Sequence, residues 1–170
     1  MARITVNTTG KQPHIYLSTD TANAYTGSVA TVSGFDFLDV ECLQDITITN
    51  STGVFSWTDF CSTDMNKITT PADNSIETNM VIEDTEFFGT LTSGQSTAPE
   101  WGVNGLSANK VEVQFVVVMD GEIDVTGKYY YQGLGYITSI APTVSPEAPI
   151  WVSPMTIAVD GILSQGTTVA

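Results

Sequence analysis

No stretch of this chain carries a sustained helical period, whereas apolar and polar residues alternate at a spacing of two in several places. That period marks β-strands with one buried and one wet face. The fullest case starts at Asp39. Asp39, Glu41, Asp45, Thr47 and Thr49 fall on one phase, and Val40, Cys42, Gln44, Ile46 and Ile48 on the other. The pattern predicts one long half-buried strand with an acidic wet face. Phe35 and Phe37 extend its apolar phase, with a slip near Leu38 that suits a β-bulge. The turn signal Ser51-Thr52-Gly53 follows, and Val54-Phe55-Ser56-Trp57 can start a returning strand. Residues 39–70 therefore read as a long hairpin-like excursion with its tip at Ser51, Thr52, Gly53 and Val54.

Further strands are expected at 67–70 and 80–83. A strong one spans 111–119 and ends at the Asp120-Gly121 turn. Another spans 129–140, with Gly133 and Gly135 on one face leaving room for a close neighbour. A last strand is expected over 150–162, with Pro154 marking an edge or a bulge. Residues 83–88 are ambiguous between strand and short helix. Residues 89–109 read as a loop with at most one helical turn near Leu106, and 162–170 as a frayed, flexible tail. The sum is an all-β sandwich or barrel of about eight strands with at most one short helix, in a single domain over 1–170.

Charge narrows what such a fold can do. Nineteen Asp and Glu stand against five Lys and Arg, a formal net charge of -14. Disordered acidic tails are poor in aromatics, whereas this chain has three Trp, six Tyr and seven Phe. The charge is thus displayed on a folded surface, and it repels nucleic acid and anionic membranes. No apolar run reaches 18 residues. Residues 1–7 contain no apolar segment of the kind a signal peptide needs, so a protein made in a cytoplasm is expected. Cys42 and Cys61 match no metal spacing. They read as reduced thiols, with a disulfide left open if 42–61 is a hairpin.

Catalytic signals are thin. A Ser-His-Asp site would require His14, the only histidine, which reads as an ordinary surface or edge-strand residue. No phosphate loop or zinc spacing occurs, and no cofactor or metal is expected. The run Asp120-Gly121-Glu122-Ile123-Asp124 has carboxylates at alternate positions, yet it lacks the rest of a calcium loop and equally fits a hairpin connection. Two acids meeting across a groove would suit glycoside hydrolysis, with Trp57, Trp101 and Trp151 as sugar platforms, and aromatic rings exposed together on one face would suit a carbohydrate-binding β-sandwich.

Two stretches point elsewhere. Phe60-Cys61-Ser62-Thr63-Asp64-Met65-Asn66-Lys67-Ile68 leads through a proline turn to Glu77-Thr78. Gly135-Tyr136-Ile137-Thr138-Ser139-Ile140 leads through a Pro-rich loop to Trp151-Val152-Ser153-Pro154-Met155-Thr156-Ile157-Ala158-Val159-Asp160-Gly161. In order and spacing these resemble the tail tube proteins of long-tailed, non-contractile bacteriophages, over about the last 110 residues. The resemblance implies a virion structural protein, assembled in the host cytoplasm, whose rings, usually hexameric, stack into a tail tube. Its implied partners are other copies of itself, the tape-measure protein, tail-tip and terminator proteins, and genomic DNA that passes without specific binding. It implies an outer helix, to be sought at 83–92 or 103–109; only a few residues follow Ile162, so no appended immunoglobulin-like domain is expected. Under this reading Asp39, Glu41 and Asp45 face an acidic lumen, with Glu112, Glu122 and Asp124 as second choices. Ser51 to Val54 contact the next ring, and Trp57, Phe60, Trp101 and Trp151 are subunit contacts. A capsid decoration or tail-terminator role is the alternative within the structural class.

Overall fold

Seven strands lie in the order Leu38–Val40, His14–Ser18, Glu112–Val118, Tyr129–Ile140, Ala148–Thr167, Ser75–Val81 and Leu43–Thr49, all antiparallel, and the two edge strands are joined by only two residues. The computed structural model describes residues 12–22, 25–28, 37–58, 65–71, 73–89 and 102–169. Its strands are β1 His14–Ser18, β2 Leu38–Val40, β3 Leu43–Thr49, β4 Gly53–Trp57, β5 Asn66–Thr70, β6 Ser75–Val81, β7 Glu112–Val118, β8 Tyr129–Ile140, β9 Thr143–Ser145 and β10 Ala148–Thr167. Two short helices, α1 Asp84–Phe88 and α2 Val103–Ala108, complete the described elements. Phe35, Phe60, Cys61 and Trp101 lie outside the described residues.

The link dictates the shape. Laid flat, seven strands at about 4.8 Å spacing put the outer two about 29 Å apart. Val40 and Leu43 are three residues apart, a reach of at most about 11 Å. The sheet must curl to bring its edges together, and it forms a half-barrel. Leu17, Val40, Leu43, Ile76, Phe115, Ile137 and Ile157, one from each of the seven strands, join a single buried cluster. A cluster that touches every strand lies inside the curl. Phe87 of α1 with Val103 and Leu106 of α2 fill it further. Gly102 lets the helices meet, since a Cβ there would stand 2.7 Å from the Phe87 carbonyl oxygen.

A second cluster of Tyr16, Tyr25, Val116, Val118, Ile123 and Tyr130 covers the outer face over β1, β7 and the start of β8. These two clusters explain why β7 is buried along its length beyond Glu112.

Several expectations change. The alternation from Asp39 to Thr49 is two strands at opposite edges of the sheet. The Leu43 N–H donates to the Glu41 carbonyl at 2.7 Å, turning the chain between them. A bulge between Leu43 and Asp45 then resets the phase. The projecting hairpin is β4 with β5, paired from Gly53↔Thr70 to Trp57↔Asn66. Ser51 to Val54 therefore sit at its base: the Ser51 N–H donates to Asn74 Oδ1 at 3.1 Å and the Ser51 hydroxyl to the Asp73 carbonyl at 2.6 Å. The expected hairpin tip at Ser51 to Val54 is instead the link from β3 into the hairpin base. β10 runs on to Thr167, with Ser164 to Thr167 paired to Gln132 to Tyr129, so residues assigned to a frayed tail belong to the sheet. Pro154 pairs with Asn79 one residue before the β8 ladder begins at Met155, on a flank where no ladder bond is needed.

Gly135 sits inside the curl between β7 and β10, where a Cβ would stand 2.4 Å from the Ala158 carbonyl oxygen. Gly135→Ala is expected to cost about 1–3 kcal/mol, the usual range for overpacking. In thermal unfolding that corresponds to a fall of several degrees, whereas Thr138→Ala on the wet face should change little.

Candidate functional site

No described element covers the outer face of β3, β6, β10 and the end of β8, and its rows can be read from the register. Asp45 lies beside Asn79 and then Pro154; Thr47 beside Glu77 and then Thr156; Ala158 beside Tyr136 and then Glu112. Asp160 is in register with Leu134 and Gln114 further along. Asp45, Glu77 and Asp160 are therefore carboxylates on one polar surface rich in threonine. The three described cations lie elsewhere: Lys67 on β5, Lys110 after α2, and Lys128 before β8. The face is acidic and free of Lys and Arg among the described residues. Asp45 is held in place, with Oδ1 accepting from the Asn79 N–H at 3.0 Å and Oδ2 from Asn79 Nδ2 at 2.8 Å.

Of the six acids singled out from sequence, Asp45 and Glu112 stand on this face. Asp39 shares the outer side but at the far edge, where its Oδ1 pairs with His14 Nδ1 at 3.0 Å. Glu41 is in the edge-to-edge link, and Glu122 and Asp124 are exposed in the β7–β8 connection. Glu77 and Asp160 were missed. Glu77 could have been found from the alternation of Ile76, Thr78 and Met80, whose buried phase leaves it outside. Asp120 takes the Lys128 ammonium at 3.3 Å, so the 120–124 run is an ion-paired turn.

A separate acidic corner forms where the edges meet. Gln12, His14, Asp39, Glu41, Cys42 and Glu122 line a polar hollow of about 240 Å³. His14 is no free surface residue. It stacks on Tyr16 at 5.8 Å, and its hydrogen bond to Asp39 raises its pKa against the opposing effect of burial. Behind it, burial first and then Glu83 push the Glu86 carboxyl up to about 7. Its Oε2 is buried and meets no hydrogen-bond partner among the described residues. The Cys42 thiol, raised by burial and by Glu83, donates to Glu83 Oε1 at 3.6 Å. Among the described residues no group of three His, Cys, Asp or Glu is arranged to hold a metal ion.

The hairpin is the other candidate surface. Phe55, Trp57 and Ile68 fall on one face of it and are 58%, 42% and 55% exposed, with the two aromatic rings stacked at 5.9 Å. A two-stranded ribbon is marginal alone in water. Trp57 is exposed, and so is Trp151, at 46%.

The corner carries a pH signature. Glu86 binds its proton more tightly folded than unfolded, so stability falls as pH rises from about 4.5 to about 7. His14, also raised, acts in the same direction above its unfolded value. Acidification from pH 7.5 to 5.5 should raise the melting temperature, and Glu86→Gln should flatten most of that slope. A melting temperature that falls on acidification would contradict this.

No family model and no curated protein sequence matches the chain. Solved structures do. A chain in the tail of an empty gene transfer agent particle, refined with C6 symmetry, is 18% identical at a TM-score of 0.53, covering 92% of this chain and 96% of that one. The SPP1 tail tube subunit is 12% identical at 0.55, covering 98% and 81%. The tube-terminating cap of the anti-feeding prophage is 11% identical at 0.55, covering 99% and 95%. What these share with the present chain is the fold: a curled, mostly antiparallel β-sheet with short helices, of the tail-tube type.

Proposed function

We propose that this chain is a virion structural protein, the ring-forming subunit of a phage-type tail tube, and that its acidic sheet face lines the channel. The observation that carries the reading is the face bearing Asp45, Glu77 and Asp160, free of Lys and Arg among the described residues. Duplex DNA carries about one negative charge per 1.7 Å of axis. A channel wall with Lys or Arg would hold it. A wall of carboxylates and threonine hydroxyls keeps it hydrated and lets it slide, which is what ejection through a tube requires. Rings of six, the symmetry of the gene transfer agent tail, would repeat each carboxylate six times around the bore. The tape-measure protein would occupy the channel before DNA, and terminator and tail-tip proteins would close its ends. The role is structural, with no catalytic step assigned to any residue. A tube-terminating cap is the second reading, favoured by the likeness to the anti-feeding prophage cap. A cap needs one contact end, whereas the described residues expose large apolar groups in two places, Phe55, Trp57 and Ile68 on the hairpin and Ile150 and Trp151 at the start of β10.

Assembly must overcome repulsion between subunits of charge -14. Salt shortens the screening length from about 30 Å at 0.01 M to about 8 Å at 0.15 M. Pelleting of assembled protein should therefore increase as salt is raised over that range, and dissolution on adding salt would contradict an assembly held by apolar contacts. Channel placement has its own test. Tubes carrying Asp45→Lys, Glu77→Lys and Asp160→Lys should retain short duplex DNA in a nuclease-resistant form, while parent tubes retain none. Retained DNA that nuclease digests would put this face on the outside.

A further inference from the structure

The ladder between β8 and β10 breaks beside Asp160. Asp160 is in register with Leu134 and Ser164 with Gln132, so four steps along β10 span two along β8 and two extra residues are looped out. Gly161 turns the chain there at φ +82°, and Ile162 projects, 84% exposed. A break of this kind parts the two backbones and re-aims the side chains around it. Here it opens a hollow of about 290 Å³ lined by Gln114, Gln132, Leu134, Asp160, Ile162 and Ser164.

The chemistry of this hollow is one-sided. Gln132 and Leu134 are two residues apart on β8 and share the outer side of the sheet with Val116 and Gln114, their partners on β7. Gln132 Oε1 is buried and meets no donor among the described residues. The Ser164 hydroxyl is directed elsewhere, donating to the Gln132 main-chain carbonyl at 3.3 Å. Asp160 brings a carboxylate at the exposed rim, and no described lysine or arginine lines the hollow. Leu134 and Ile162 supply apolar walls. A buried carbonyl is costly until a donor reaches it, and hydrogen bonds to a charged partner are the strong ones. A ligand that answers both groups carries N–H donors and positive charge, and the walls favour a hydrocarbon stem. A divalent metal ion fits poorly, because it takes about six or more oxygen ligands and the hollow holds one carboxylate.

We propose that this hollow binds a primary alkylammonium ion, its head between the Asp160 carboxylate and Gln132 Oε1 and its stem along Leu134 and Ile162. The field of a chain of charge -14 gathers any cation, and the donors and the stem select this class. The site lies within one chain and is independent of the tube reading. Binding by a protein that never forms tubes leaves it standing, and tubes built from subunits that do not bind overturn it alone.

The test is a titration of the full-length, isotopically labelled protein in low salt, followed by amide NMR. n-Butylammonium should shift the Gln132 side-chain amide and the backbone amides of Leu134, Ile162 and Ser164 along one saturating curve. Tetramethylammonium has the same charge and no N–H donor, and should shift them little at equal concentration. Gln132→Met removes the acceptor at nearly constant shape and should weaken butylammonium about three- to tenfold, and Asp160→Asn about tenfold or more. An equal response to tetramethylammonium, shifts that never saturate, or unchanged affinity in either variant overturns the proposal. Ile162→Ser alters an exposed side chain and keeps the test decisive if a variant inside the hollow fails to fold. It should reduce the preference for butylammonium over methylammonium, and an unchanged preference overturns the proposed seating.

Discussion

A two-residue link between strands at opposite edges of one sheet is the constraint from which the rest follows. Glu41 and Cys42 connect β2 to β3, and a flat seven-strand sheet cannot accommodate so short a connection. The curl it imposes makes one face of every strand interior. Leu43, Ile76, Phe115, Ile137 and Ile157 can then share one cluster, and two short helices suffice to fill the mouth. The same curl turns the opposite face outward over β3, β6 and β10, where no described element covers Asp45, Glu77 or Asp160. It also crowds carboxylates at the seam. Glu41 arrives there with the link and Glu86 with α1, and Asp39, on the edge strand, meets His14. Acid repulsion at the seam is thus a consequence of closing the sheet.

Much of this was legible in the chain. The strand over Tyr129–Ile140 and the need for glycine at 133 and 135 follow from alternation and side-chain size, and the structure places β10 against that face. The break between β2 and β3 was hidden because a turn and a bulge together restore the phase of the pattern. Only Leu43 betrays it: an apolar residue on the polar phase, buried in the structure because the phase has slipped there. Hairpin pairing was misread for a related reason. Ser51-Thr52-Gly53 is turn chemistry, but local sequence does not say which strand follows which across the sheet. β3 turns away from β4 and pairs with β6 through contacts some thirty residues distant. Asp160 was overlooked because the expected end of its strand lay close by.

On the proposed reading, the surfaces divide the work of a tube subunit. One face carries charge and hydroxyls and is suited to let a polyanion pass. The hairpin and the start of β10 carry exposed apolar groups and are suited to meet other copies. Keeping these apart matters for a chain of charge -14, because contact surfaces bearing that charge density would repel each other. Short-range burial at Phe55, Trp57, Ile150 and Trp151 can overcome a repulsion that salt screens, while the acidic face stays out of the contacts.

The central claim is that copies of this chain stack with the acidic face turned inward. Cryo-electron microscopy of the concentrated protein in moderate salt tests it most directly. The account predicts hollow tubes of stacked rings, with the sheet face of Asp45, Glu77 and Asp160 forming the channel wall. Tubes in which that face points to the outside, or assemblies with no channel, would contradict it.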